Sequence, residues 1–199
     1  MAGAGDVNGD GFADVLVGAP LYNNGQLYEG AAFVYFGGAG AFNTTADALL
    51  ESNQANAYLG YSVAGAGDVN GDGLDDLIIG AQGASPNGES SGSSYVVFGR
   101  SGAGAFAPTI SLGSLTGGNG FRLDGAAAFD SSGIAVAGAG DINGDGLADV
   151  VVGARRAAPP SGSNAGSSYV VFGRSSGFAA TINFGTLNGT NGCRLDGVA

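Results

Sequence analysis

The sequence predicts an all-β protein made of three copies of one four-stranded antiparallel unit. Three observations carry this expectation. A nine-residue stretch at residues 6–14 returns at 68–76 and at 141–149, offset by 62 and then 73 residues. Each copy runs into a short β-branched segment closed by glycine: Val15-Leu16-Val17-Gly18, Leu77-Ile78-Ile79-Gly80 and Val150-Val151-Val152-Gly153. Short β-branched runs bounded by Gly read as strands. No stretch carries a convincing helical period, and residues 46–57 are the one weak candidate.

Each unit reads as four parts. The first is a strand of small residues ahead of the repeated stretch, at 61–67 and 134–140, with only its tail, 2–5, in the first unit. Gly and Ala there suit a strand crowded by its neighbours along a narrow axis. The second is the β-branched strand, ending in Gly18-Ala19-Pro20, Gly80-Ala81-Gln82 or Gly153-Ala154-Arg155. It is apolar on both faces, as expected for a strand between two other sheets. The third follows a variable polar loop (21–30, 83–92, 156–166) and has its core at 32–37, 94–99 and 168–173. The fourth, at 40–54, 106–124 and 178–196, is less regular and reads as the outermost strand, with room for a break into two short pieces. These parts divide the chain at 1–57, 58–130 and 131–199.

The repeated stretch carries the chemistry. Positions 1, 3, 5 and 9 hold oxygen side chains in every copy: Asp6, Asn8, Asp10 and Asp14; Asp68, Asn70, Asp72 and Asp76; Asp141, Asn143, Asp145 and Asp149. Position 6 is glycine, where a tight loop must turn back. Position 7 is Phe12, Leu74 or Leu147, which can offer only a backbone carbonyl. Carboxylates at alternate positions before a sharp turn are how a loop wraps a hard cation in oxygen ligands. An EF-hand is excluded, because its twelfth position needs a bidentate Glu between two helices. Here that position is Val17, Ile79 or Val152, inside a strand. An Asx-rich turn that binds nothing is the plainer alternative. Three copies with the same donor pattern favour a metal, and the expectation is three calcium sites, one per unit.

Four strands per unit at this repeat length is the mark of propeller blades. The order Leu59-Gly60-x-Ser62-Val63, then the Asp/Asn loop, then Gly-Ala-Pro or a variant of it, resembles the FG-GAP repeat. That family builds the β-propeller of integrin α chains and of many bacterial surface and secreted proteins. The third copy departs from the pattern at residues 129–133, and Pro20 is the only proline of the three Gly-Ala triplets. Both departures touch turns, not ligands. The resemblance implies three blades of a partial ring, with calcium in the loop between the first two strands of each blade, on one rim. It further implies an extracellular or cell-surface adhesion or protein-interaction module, with structural calcium and an extracellular protein or matrix ligand as partner. The near-identity of the repeats suits the bacterial members better than the animal ones. A propeller domain of a secreted hydrolase, or a glycan-binding one, is the alternative.

Composition narrows these readings. The 199 residues carry a net charge of −11, and nine of the 17 acids sit at the ligand positions of the three loops. The acidity therefore belongs mostly to the loops. The six basic residues are all Arg, scattered, with only Arg155 and Arg156 adjacent. No basic stripe exists to hold a nucleic acid. No apolar run approaches a membrane span, so no membrane insertion is expected. The chain has no His, which removes every Ser-His and Cys-His arrangement. Outside the four ligand positions lie Glu29, Asp47, Glu51, Asp75, Glu89, Asp124, Asp130 and Asp196, none of which forms an evident pair for glycoside hydrolysis. The chain therefore reads as no enzyme. Cys193 falls where the previous repeat has Phe121 and reads as a small hydrophobe in a packed slot. The variable loops hold Tyr22, Asn23, Asn24, Tyr28, Asn87, Arg155 and Arg156, which read as solvated loop residues. The sequons at Asn43 and Asn188 concern attached glycans, not bound ones. Propellers close with about four to eight blades. Three blades are therefore expected to leave apolar rows open on the first and last sheets, either as an arc of a longer array or as a chain that self-associates to complete a ring.

Overall fold

A computed structural model describes residues 1–40, 43–102, 106–158 and 165–197. Parts of the expected stretches 40–54 and 156–166, and the last two residues, lie outside these. The described chain is all-β, with two single 3-10 turns at Leu112–Ser114 and Phe184–Thr186. Three sheets follow one another along the sequence. The first holds β1 (Ala2–Gly5), β2 (Asp14–Ala19), β3 (Ala31–Tyr35) and β4 (Ala48–Glu51). The second holds β5 (Leu59–Gly67), β6 (Asp76–Ala81), β7 (Ser93–Val97) and β9 (Gly120–Asp124). The third holds β10 (Ser132–Gly140), β11 (Asp149–Ala154), β12 (Ser167–Val171) and β14 (Gly192–Asp196). Neighbours within each four are antiparallel. The weak helical candidate at 46–57 is in fact β4 and the turn after it, because Ala48 and Leu50 are needed on one face of the sheet.

The less regular fourth part does break in two, but its pieces serve different sheets. The first pieces are β8 (Thr109–Ser111) and β13 (Thr181–Asn183). β8 crosses back to the first sheet and pairs in parallel with β4, Leu50 opposite Ile110. β13 crosses back to the second sheet and pairs in parallel with β9, Leu123 opposite Ile182. Two of the sheets therefore have five strands, not four. The reason is a short anchor: Phe106 packs edge-on against Phe36, and Phe178 stacks on Phe121 with centroids 4.2 Å apart. Each crossing segment is a strap that ties a blade to the one before it.

The cores lie between the sheets. One joins Leu16, Val34 and Leu50 to Leu77, Ile79, Tyr95 and Val97. The other joins Ile78, Val96, Phe121 and Leu123 to Val150, Val152, Tyr169 and Val171. The pleat sends Leu77 and Ile79 to one core and Ile78 to the other, which is why β6 is wholly buried and apolar after its opening Asp76. Each such side chain contributes roughly 1.5–3 kcal/mol on burial. The outward faces of the end sheets carry Val15, Val17, Phe33 and Tyr35 on one side, all half-buried, and Val151, Phe172 and Cys193, half-buried, with Leu195, 56% exposed, on the other. Tyr22 lies edge-on over Phe33, so the first of these faces is partly covered from within the chain.

Close backbone contact sets the spacing of the sheets. The inner strands run side by side: a Cβ on Gly65 would stand 3.0 Å from the Gly3 carbonyl oxygen, and one on Gly138 would stand 2.8 Å from that of Gly65. This is the crowding that the small-residue strands predict. Farther along, a Cβ on Gly18 would meet the Gly60 carbonyl oxygen at 2.0 Å, and one on Gly80 would meet that of Gly133 at the same distance. The glycine that closes the β-branched strand of the first and second blades is thus pressed against the glycine that opens the next blade.

Candidate metal centres

The three repeated loops connect β1 to β2, β5 to β6 and β10 to β11, so all three sit at the same end of their sheets. Their internal bonding is nearly identical. The Asp6 carboxylate accepts from the backbone N–H of Gly9 (2.7 Å), Asp10 (3.1 Å) and Gly11 (2.8 Å). Asn8 Oδ1 accepts from the Asp10 N–H, and Asp10 Oδ1 from the Phe12 N–H, both at 2.9 Å. Asp68, Asn70 and Asp72 repeat this in the second loop, and Asp141, Asn143 and Asp145 in the third. The position-6 glycines, Gly11, Gly73 and Gly146, take φ of +87°, +87° and +88°, which a side chain would strain. The Asp141 carboxyl is held below the usual range by the backbone N–H groups it accepts, Gly146 first.

Position 9 behaves differently. Asp14, Asp76 and Asp149 are buried, at 1%, 0% and 0% exposure. One oxygen of each accepts from the position-2 N–H, of Val7, Val69 or Ile142, at 2.8 Å. The other accepts from the glycine after the third strand, Gly37 (2.8 Å), Gly99 (2.9 Å) or Gly173 (2.9 Å). This aspartate latches the loop to the neighbouring strand, a role the ligand pattern alone does not reveal. Burial pushes the Asp76 carboxyl up to about 7, against the pull of its two backbone bonds, and the charges of Asp72 and Asp68 add to the rise. Asp14 is raised for the same reasons, burial first, with Asp10 and Asp6 adding.

The loops also join the blades. The Val7 and Val69 carbonyls accept from the N–H of Arg100 and Arg174 in the following blade, at 2.8 and 3.0 Å. The Asp6 and Asp68 carbonyls accept from the Asp75 and Ala148 N–H, at 3.2 and 2.9 Å. Asp75, an acid outside the donor pattern, returns the contact: its Oδ2 accepts the Asp6 N–H at 2.9 Å. The position-7 side chains Leu74 and Leu147 reach back towards Gly9 and Gly71 of the preceding loop.

The donor set suits a hard cation in its chemistry. Each loop offers three acceptor-only carboxylates, one amide oxygen and the carbonyl of Phe12, Leu74 or Leu147. Both salt bridges among the described residues, Arg122–Asp124 and Arg194–Asp196, lie elsewhere, so no cationic side chain neutralises a loop. Among the described residues no group of three or more Asp, Glu, Cys or His is gathered to hold a metal as it stands.

The other candidate residues are structural. The Asn24 side chain donates to Glu51 at 3.0 Å, and that of Asn87 donates to the Gly125 carbonyl at 2.8 Å, so both asparagines tie a variable loop to an outer strand. Tyr28 stacks on Tyr58 at 5.8 Å. Glu29 is fully buried; one oxygen accepts the Asn24 N–H, and the other has no partner. Cys193 is half-buried and free, not enclosed in a packed slot.

Sheets of four antiparallel strands, packed face to face with a repeated loop at one end, define a β-propeller repeat array. The family model for the FG-GAP repeat matches residues 2–35, 59–97 and 132–171, and the chain belongs to that family. The matched spans cover the first three strands of each blade and leave out the fourth strand and the straps. Among curated proteins the chain is 34% identical to integrin alpha-4 of Xenopus laevis over 76% of its own length and 14% of that protein. It is 40% identical to integrin alpha-2 of Mus musculus and 41% identical to integrin alpha-10 of Homo sapiens, each over 42% of the chain and 7% of the relative. The chain thus spans a small part of the proteins it matches. These relatives are vertebrate, and they lend the expected bacterial source no support.

Proposed function

We propose that this chain is a calcium-stabilised propeller segment, acting at the cell surface or outside the cell as an adhesion or protein-interaction module. The observation that carries the reading is the triplicated loop: three carboxylates without a cationic partner, one of them buried. Calcium would be held by Asp6, Asn8, Asp10, Asp14 and the Phe12 carbonyl, and by their counterparts in the other two loops. The cation supplies positive charge, not chemistry. In the first two loops its effect would pass directly into the blade joints, because the carbonyls at positions 1 and 2 are bonded to the next blade. With three formal negatives per site, affinity is expected near the 10⁻⁴–10⁻³ M typical of extracellular modules, as an order of magnitude.

A non-catalytic reading is supported by how the remaining acids are used. Asp124 and Asp196 are held by Arg122 and Arg194 and by Ser93 and Ser167. Asp47 accepts the Phe36 N–H, and Asp130 the Ala127 N–H. The partner is taken to be an extracellular protein or matrix component, by analogy with the integrin relatives. No helix of the described residues is long and apolar enough to cross a membrane.

Calorimetry and thermal melts test the metal. Calcium is expected to raise the melting temperature, and Asp10→Asn, Asp72→Asn and Asp145→Asn, introduced one after another, are expected to remove the gain in three steps. Absence of any heat of binding at millimolar calcium would end the proposal.

A further inference from the structure

The straps occupy the outer edges of the first two sheets. β4 and β9 each carry a parallel strap from the following blade, and in both the middle leucine, Leu50 or Leu123, is fully buried. On β9 the strap also supplies an aromatic: Phe178 stacks on Phe121, lies 5.7 Å from Phe98, and is capped by the Arg174 guanidinium at 4.6 Å. The Arg122 N–H completes the joint by donating to the Ala180 carbonyl at 2.9 Å.

β14 repeats this edge with its fittings in place. Arg194 and Asp196 form the same ion pair as Arg122 and Asp124. Ser167 donates to Asp196 at 2.9 Å, as Ser93 donates to Asp124 at 3.0 Å. The register is the same: Arg194 lies opposite Tyr169 as Arg122 lies opposite Tyr95. Yet among the described residues β14 pairs with β12 alone. Leu195, the counterpart of buried Leu123, is 56% exposed. Cys193, which stands where Phe121 receives the strap's ring, is half-buried.

The geometry points to β14 as a docking edge for one kind of partner: an extended segment of another repeat unit, patterned as aromatic, two small residues, then Thr-Ile and a polar residue. That is the pattern of Phe106 with Thr109-Ile110-Ser111 and of Phe178 with Thr181-Ile182-Asn183. The segment would add in parallel, its isoleucine over Leu195 and its aromatic over Cys193, taking the Arg194 N–H as Arg122 is taken. The two occupied edges in the same molecule fix this chemistry. The inference requires no metal and stands apart from the calcium proposal.

The test uses the whole chain and a fluorescein-labelled peptide of residues 177–187. Saturable binding by anisotropy is expected, together with a drop of about ten-fold in the rate at which a thiol reagent modifies Cys193 at saturation. A peptide carrying Phe178→Ser and Ile182→Asp is expected to do neither. Cys193→Phe restores the ring found in the second sheet and should tighten binding several-fold, since an aromatic pair adds to area burial; a residue that served only packing within its own sheet would not have this effect. Failure of both the natural chain and the Cys193→Phe variant to bind at millimolar peptide overturns the inference. Equal protection of Cys193 by the substituted peptide also overturns it.

Discussion

Asp76 is both a candidate ligand and a latch, and the two roles separate by mutation. Asp76→Asn leaves one of two buried N–H groups, Val69 or Gly99, without an acceptor. An unsatisfied buried donor costs about 1–3 kcal/mol. The variant should therefore lose about that much in urea denaturation even with a chelator present. Asp72→Asn, exposed in the same loop, should lie within about 0.5 kcal/mol of the parent without calcium and lose only the calcium-dependent gain. The repeated carboxylates were visible in the sequence because residues at fixed spacing are a local signal. The latch was not, because its other half, Gly99, is 23 residues away and carries no side chain to read. A second residue-scale effect concerns alkali. Burial pushes the Tyr95 hydroxyl from 10.0 up to about 12, and Tyr169 rises for the same first cause. A raised folded-state value means the stabilisation is complete below pH 10 and is lost as pH climbs towards 12. Tyr95→Phe should flatten that loss in alkaline melts. At neutral pH it forfeits only the bond that the Gln54 side chain donates at 3.2 Å.

At the scale of elements, the strap is where reading the sequence fell short. The strands β2, β6 and β11 announce themselves by β-branched runs, and the inner strands by glycine and alanine. Thr109-Ile110-Ser111 and Thr181-Ile182-Asn183 have ordinary strand composition, and nothing local says that they pair with the blade before their own. Three residues are too few for a period, and the anchoring ring is set apart from the strand it guides. The strap matters energetically all the same. Phe178 is 8% exposed and touches two rings and a guanidinium. Phe178→Ala should cost about 3–5 kcal/mol, the usual range for a buried ring, seen as a lower urea midpoint. A matching loss from Ile182→Ala, smaller because less is removed, would place the effect in the strap as a whole.

Over the whole molecule the joints between sheets decide cooperativity. Gly80→Ala drives a methyl to 2.0 Å from the Gly133 carbonyl and should cost about 1–3 kcal/mol through overpacking. Gly153→Ala, the same position in the third blade, meets nothing closer than the Ala135 methyl at 3.5 Å. It should be neutral or gain a few tenths of a kcal/mol, because alanine restricts the unfolded chain. Equal losses for the two, measured by denaturation, would contradict the joint described here. The glycine-on-carbonyl contact has a consequence beyond stability. Both of its surfaces are backbone, so at this one contact what a blade shows the next hardly depends on side chains. A unit copied by tandem duplication already matches its neighbour at this contact, and only the side-chain cores and the straps remain to be fitted across the new boundary.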